Sequence, residues 1–385
     1  MELITLKNDM KKIILVFGTR PEAIKMIPVY KELKRMNDKF NPLICLTGQH
    51  KELLDQVMNL FNIKSEFNLN VMKPNQDLFS ITKDILIGLK SIFIDEKPDI
   101  VLVHGDTTTS FAASLSAFYL NIKVGHIEAG LRSFNPESPF PEEMNRSLIS
   151  KIAKIHFSPT LKSKENLLNE NIGESKIHVT GNTASDALSI ILKKISREKL
   201  LLSKSCSYKI NTKRKLILIT GHRRENFGEG FLNICNAIKY LAEKYSDADF
   251  VYPMHLNPNV RKPINETFNE KNLKNVFFIE PLDYIDFVIL MKYSYLILTD
   301  SGGIQEEAPF LGIPVLVMRE NTERPEGIES GTSVLVGTNK KKIIKNVSNL
   351  LMDKDYHSSF ASKENPFGDG NASSRIINVL SKFLS

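Results

Sequence analysis

Short runs of β-branched and other apolar residues recur along the chain, several ended by Gly, Asp or Thr and followed by a longer stretch with apolar positions at helical spacing. The runs at 12–17, 42–47, 99–103 and 122–127 read as strands, and the largely apolar, β-branched run at 99–103 bears the mark of one buried on both faces of a parallel sheet. Runs at 155–158 and 176–180 extend this first set, and helices are read at 51–60, 78–93, after Thr107, from Glu143 to about 154, and from Gly181-Asn182-Thr183 onward. A first helix is read from 21 to 36, with Pro28 inside it predicting a kink or a break, and 72–76 reads as a loop. Residues 193–215 turn Lys- and Ser-rich without a firm period, which suits an interdomain stretch. Strand runs then resume at 216–220, 250–254, 276–279, 295–299, 314–318 and 333–336. Such alternation predicts the α/β class, as two doubly wound Rossmann-like domains. The expected divisions are 1–190, 191–368, and a last segment 369–385 whose amphipathic helix packs back on the N-terminal domain.

Candidate chemistry collects where strands end. Asp106 follows the strand at 99–103, Glu128 follows the one at 122–127, and Glu142 comes after a short loop. In open α/β sheets ligands bind outside the carboxyl ends of the strands, so these carboxylates can converge on one crevice for acid/base work. The bland alternative stays open: Asp106 could cap the next helix, and Pro141-Glu142-Glu143 is an ordinary helix opening, with Pro first and acids facing the macrodipole. Gly18-Thr19-Arg20-Pro21 resembles a phosphate-binding crossing, with Arg20 able to fork onto phosphate oxygens. In the second half Ser301-Gly302-Gly303 makes a tight turn whose N–H groups suit an anion, and Glu307 one turn later suits a ribose diol; a plain Ser-capped helix fits equally. His222, beside Arg223 and Arg224 at a strand end, suits phosphate, and His255 has the same topological position.

Composition narrows the classes. At 385 residues, 42% hydrophobic and 25% charged, the chain has the make-up of globular proteins and the length for two domains. A net charge of +7 favours an anionic small ligand, while no basic stripe interleaved with aromatics indicates a nucleic-acid surface. Cys45, Cys206 and Cys235 have no metal-site or disulfide spacing. No apolar run reaches spanning length and the start lacks a signal-peptide core, so no membrane partner and a cytoplasmic location are expected. GxGxxG follows no predicted strand, which disfavours a dinucleotide oxidoreductase.

The runs FGTRPEAIKMIPV, TGQH, VLVHGDTTTSFAASLSAFY, VGHIEAGLRS, SPFPEEMNR, VTGNT, TGHRREN, HLNPNVR, TDSGGIQEEAP, PVLVMRENTERPEG and GTSVLVGT, in that order, resemble the bacterial non-hydrolysing UDP-N-acetylglucosamine 2-epimerases. The resemblance implies a GT-B-like fold with substrate in the cleft, a homodimer, and interconversion of UDP-N-acetylglucosamine and UDP-N-acetylmannosamine without nicotinamide cofactor or metal, for surface polysaccharides. It places the catalytic residues at Asp106, Glu128, Glu142 and His222. Substrate contacts fall on Arg20, Lys25, Phe287, Ser301, Gly302, Gly303, Glu307 and Arg324, and on Leu282, where relatives resembling this chain have Gln. In some relatives a second UDP-N-acetylglucosamine activates the enzyme, at positions matching Gln49, Glu52, Asn75, Glu142, Arg223 and His255. Asn75 replaces an Arg and Glu52 a Gln, both unfavourable to a diphosphate, so activation is expected to be weak or absent. The competing classes are a hydrolysing 2-epimerase that releases UDP and N-acetylmannosamine, a GT-B glycosyltransferase, and a nucleotide-sugar sensor.

Overall fold

Runs such as Lys11–Phe17 and Ile100–His104 have no polar face to offer water, so they are stable only inside a layered sheet. The computed structural model, which describes residues 10–48, 51–73, 76–269 and 273–385, places them in two all-parallel sheets, one in each of two compact units. One unit holds the residues up to Ala187 together with Gly368–Ser385, and the other holds Leu188–Phe367.

In the first unit the order is β1 (Lys11–Phe17), α1 (Arg20–Arg35), β2 (Phe40–Leu46), α2 (Lys51–Leu60), β3 (Phe67–Asn68), α3 (Leu78–Glu96), β4 (Ile100–His104) and α4 (Thr108–Tyr119). It continues with β5 (Lys123–Ile127), α5 (Glu142–Ile152), β6 (Ile155–Ser158), α6 (Leu161–Asn169) and β7 (Ile177–Val179), and α7 (Thr183–Glu198) begins in the first unit and runs into the second after Ala187. The second unit has β8 (Lys215–Thr220), α8 (Glu229–Lys244), β9 (Ala248–Pro253), α9 (Pro258–Phe268), β10 (Val276–Ile279), α10 (Tyr284–Tyr293), β11 (Leu296–Thr299) and α11 (Gly302–Glu307). There follow β12 (Val315–Val317), α12 (Pro325–Glu329), β13 (Ser333–Leu335), α13 (Lys340–Met352) and α14 (Lys354–Ala361), and then α15 (Ala372–Leu384) in the first unit.

The strand orders are β3-β2-β1-β4-β5-β6-β7 and β10-β9-β8-β11-β12-β13. Both sheets reverse direction of winding beside their first strand, between β1 and β4 and between β8 and β11. Parallel strands need a helix at every crossover, and the helices bury both faces. Ile14, Val16, Val101 and Val103 pack with Leu89, Phe93 and Ala113 in the first unit; Ile217, Ile219, Leu298 and Leu316 pack with Ile234, Ile238 and Val347 in the second. Helix α15 packs on α1, and its first two N–H groups are capped by the Asp186 carboxylate of α7, from Ala372 at 3.1 Å and Ser373 at 2.8 Å.

Two local features differ from the sequence reading and one adds to it. Helix α1 runs unbroken through Pro28, because Met26, Ile27, Val29 and Tyr30 around it are all buried and their packing outweighs one missing hydrogen bond. Helix α7 continues to Glu198, well into the stretch read as a linker, since Leu188, Ile191 and Ile195 give it a buried stripe. Residues 67–68 form an extra strand, too short to carry a period.

Two histidines sit neutral in the core of the first unit. His126 and His156 lie edge to face, with ring centroids 6.5 Å apart. Burial, helped by the neighbouring imidazole, holds His126 down at about 3; burial, helped by Lys176 and Arg132, holds His156 at about 4. Both lie below the unfolded value, so below about pH 6.5 the unfolded chain binds more protons than the folded one. Their contribution is full above that pH and is lost as pH falls toward 4 and 3, roughly 2 kcal/mol for each ring by pH 5. Melting temperature measured from pH 7 to pH 5 is expected to fall, and His156→Phe, which keeps the ring and removes its titration, is expected to flatten the fall. Parallel profiles for the two proteins would contradict this.

Candidate active site

At the first winding reversal the turn after β1 is built to hold its shape. Thr19 caps α1, and Glu22 closes a capping box by accepting the N–H groups of Gly18 (3.0 Å) and Thr19 (2.8 Å) on Oε2. Its Oε1 accepts the hydroxyls of Thr107 (2.6 Å) and Ser110 (3.1 Å), so one buried carboxylate ties the β1–α1 crossing to the β4–α4 crossing. Burial raises the Glu22 pKa against the pull of these hydrogen bonds. Arg20, the first residue of α1, is half-buried and makes no hydrogen bond or ion pair among the described residues.

Glu128 stands just past β5 in the left-handed backbone region, with φ 62°, a conformation costly for a side chain with a Cβ and kept only where the surroundings fix it. Its buried Oε2 accepts from Lys25 Nζ of α1 and from Asn182 Nδ2 at 2.8 Å, with His104 Nε2 at 3.7 Å. Gly105 in the β4–α4 turn beside it is also left-handed, with φ 64°, a conformation that glycine adopts without steric cost.

Asp106 is not the cap of α4; Thr107 is, accepting the Ser110 N–H. The Asp106 carboxylate is gripped instead by Arg146 of α5, with Nε at 2.9 Å and Nη2 at 2.7 Å from Oδ2, while its backbone carbonyl accepts from Asn145 Nδ2 at 2.8 Å. Arg146 Nη1 reaches Glu143 at 2.9 Å, and Glu143 in turn accepts the N–H groups of Ser133 (2.9 Å) and Phe134 (3.0 Å). Burial opposes charge on Arg146, but the two carboxylates outweigh it and raise its pKa. Pro141 proves to be the N-cap of α5 rather than its first residue, and Glu142 opens the helix. Glu142 is half-buried and has no hydrogen bond or ion pair among the described residues.

The second winding reversal carries the other set. Asp300, fully buried at the end of β11, accepts the N–H groups of His222 and Arg223, both at 2.8 Å, on Oδ2. It thereby holds the loop after β8, with Asn226 Nδ2 at 3.3 Å adding a third donor. His222 stacks on His255 at 5.1 Å between centroids, and its Nδ1 lies 3.7 Å from Asp300 Oδ1. Partial burial, with His255 and Arg223, lowers the His222 pKa against the opposing charge of Asp300. Ser301 occupies the N-cap of α11 without a side-chain cap bond. Gly302 lets the Arg324 guanidinium lie against the turn, since a Cβ there would stand 2.6 Å from Nη1 and push it aside. Arg324 donates to Glu306 at 2.7 Å, and buried Glu307 accepts from Tyr284 Oη at 3.1 Å. Burial alone would raise Glu323, but hydrogen bonds from Arg319 and the charge of Arg324 hold it at about 2, which fixes the loop before α12. Leu282 and Phe287, half-buried, flank the start of α10.

Arg20, Lys25, Asp106, Glu128 and Glu142 thus belong to the first unit, and His222, Leu282, Phe287, Ser301, Gly302, Gly303, Glu307 and Arg324 to the second. Gln49 and Asn75, and the side chain of Glu52, lie outside the described residues. The partners Asn182, Arg146, Glu22 and Asp300 are absent from the sequence-based candidates. Their motifs were visible, as VTGNT, PEEMNR, TRPE and TDSGG, but nothing local tells which distant side chain each one meets. Among the described residues no group of three or more His, Cys, Asp or Glu is placed to hold a metal ion, and no helix is long and apolar enough to cross a membrane.

Comparison with known proteins agrees over nearly the whole length. Residues 31–381 match the UDP-N-acetylglucosamine 2-epimerase family. The UDP-N-acetylglucosamine 2-epimerase of Campylobacter jejuni is 52% identical over 377 residues, covering 97% of this chain and 98% of its own. That of Escherichia coli K12 is 52% identical over 371 residues, covering 96% and 98%. The crystal structure of the Neisseria meningitidis enzyme bound to UDP-N-acetylglucosamine superposes with a TM-score of 0.90 at 52% identity, covering 96% of this chain and 100% of that one. With two parallel sheets that reverse at carboxylate-bearing and Ser-Gly-Gly turns, and with this likeness from end to end, the chain belongs to the UDP-N-acetylglucosamine 2-epimerase family.

Proposed function

We propose that the chain interconverts UDP-N-acetylglucosamine and UDP-N-acetylmannosamine, keeping UDP for re-addition rather than releasing it to water. The proton at carbon 2 of the sugar is not next to a carbonyl, so its direct removal is slow. When the bond from carbon 1 to the diphosphate oxygen breaks, its electrons leave with UDP and carbon 1 becomes oxocarbenium-like. A carboxylate then takes the acidified proton from carbon 2, and the carbon–hydrogen electrons form the double bond of a glycal. Delivery of a solvent-derived proton to carbon 2 from the opposite face, with the first proton released from the carboxylate to solvent, and attack of UDP oxygen on carbon 1 give the epimer.

The observation that carries this assignment is how differently the three acids are held. Asp106 is bound to Arg146, and Glu128 to Lys25 and Asn182, an arrangement suited to standing negative charge that stabilises a cation. Glu142 has no such partner among the described residues and is the group best suited to gain and lose a proton. Arg20, His222 and the Ser301-Gly302-Gly303 turn serve the leaving diphosphate. Glu307 and Arg324, with Phe287 and the backbone at Leu282, serve the nucleoside. We assign the enzyme to a homodimer in the cytoplasm, supplying mannosamine units for surface polysaccharide. The exposed apolar side chains Ile87, Phe118, Tyr119 and Leu148 on α3, α4 and α5 are its candidate self-contact.

Product analysis tests the choice of UDP re-addition over hydrolysis. Starting from either UDP-sugar, both should accumulate to a constant ratio with total UDP-sugar conserved. Steady growth of free UDP and free N-acetylmannosamine would identify a hydrolysing enzyme instead.

A further inference from the structure

Asn182, buried at the β7–α7 crossing, has an amide whose two ends do different work. Its Oδ1 accepts the Ala184 N–H at 2.9 Å, in the manner of a helix cap, so the end facing Glu128 Oε2 at 2.8 Å is the Nδ2 donor. Lys25 Nζ meets the same oxygen from α1. An ammonium is a point charge with rotatable donors and sets little direction, whereas a planar amide pinned at its other end does. Hydrogen bonds to a charged acceptor are also about twice as strong as neutral ones. Glu128, in its left-handed backbone, is thus aimed by a side chain 54 positions away.

We propose that Asn182 is a positioning residue for the epimerisation, directing the Glu128 carboxylate through its Nδ2–H. This rests on the assignment of Glu128 to the sugar chemistry given above. The cap and the positioning role use opposite ends of the amide, so they can be separated. Asn182→Asp keeps an acceptor for the Ala184 N–H but turns a second carboxylate oxygen toward Glu128; Asn182→Ser keeps a cap and removes the donor.

In the full chain, both variants should keep their melting temperature within a few degrees and KM within about threefold, while kcat falls on the order of 10- to 100-fold, the scale of a lost hydrogen bond to a charged group. For Asn182→Asp the acid limb of the pH–rate profile should also move up by about one pH unit, because the added charge makes Glu128 harder to ionise. Unchanged kcat in Asn182→Asp, or a kcat loss matched by melting temperature with the pH profile unmoved, would overturn the positioning role while the wild type still epimerises. A wild-type protein inactive on both UDP-sugars would instead overturn the epimerase assignment, and this inference with it.

Discussion

Glu142→Gln is expected to leave the melting temperature unchanged while turnover falls by on the order of 100-fold or more, the usual scale for a lost acid or base. Glu142 begins α5 with no partner among the described residues, so the amide costs the fold little. The other two acids should behave differently. Glu128→Gln strips buried Lys25 of a carboxylate partner, which costs roughly 3–5 kcal/mol where such a pair is broken, so stability falls together with turnover. Asp106→Asn takes one of two carboxylates from Arg146 and leaves Glu143, so its stability loss should be intermediate. Turnover number and melting temperature measured on the three variants give the pattern directly. Full activity in Glu142→Gln would remove that residue from the mechanism.

Asp300→Ala should have the largest effect in the second unit. Two part-buried backbone N–H groups lose their acceptor, while Asn226 keeps the Met318 carbonyl at 2.9 Å; at about 1–3 kcal/mol for each stranded donor the loop carrying His222 and Arg223 comes loose. Loss of several kcal/mol and of nucleotide binding by calorimetry is expected. Asp300→Asn separates support from charge, since an amide oxygen can still accept from the two N–H groups. Without the Asp300 anion the His222 pKa drops further, because that charge is what opposes the lowering caused by burial. If cationic His222 serves the departing diphosphate, the high-pH limb of activity moves to lower pH in Asp300→Asn. A limb that stays in place would take His222 out of that role.

The strands were legible because parallel strands buried on both faces leave unbroken apolar runs, and β1, β4, β5, β8 and β11 stand where such runs occur. The turns at which both sheets reverse were legible too, as Gly, Asp and Ser just beyond those runs. What stayed hidden is set by distance along the chain. Lys25 meets Glu128 across 103 positions, His222 meets Asp300 across 78 and Asp106 meets Arg146 across 40, and no local period encodes such pairings. Where the local reading failed, tertiary packing had outweighed propensity. Pro28 is carried through α1 by its buried neighbours, and α7 extends over a Lys-rich stretch because Ile191 and Ile195 have a core to face. Of the two capping alternatives, Asp106 yields to Thr107 as the cap of α4, and Pro141 precedes α5 rather than beginning it.

Elimination through a glycal requires that the hydrogen at carbon 2 be lost and regained during every turnover. The direct test is a proton spectrum of UDP-N-acetylglucosamine incubated with the purified protein in deuterated water, with no added nicotinamide cofactor or metal. The carbon 2 signal should vanish from both UDP-sugars as they equilibrate, in step with the loss of coupling at the anomeric proton. Equilibration of the two sugars with protium retained at carbon 2 would contradict the mechanism.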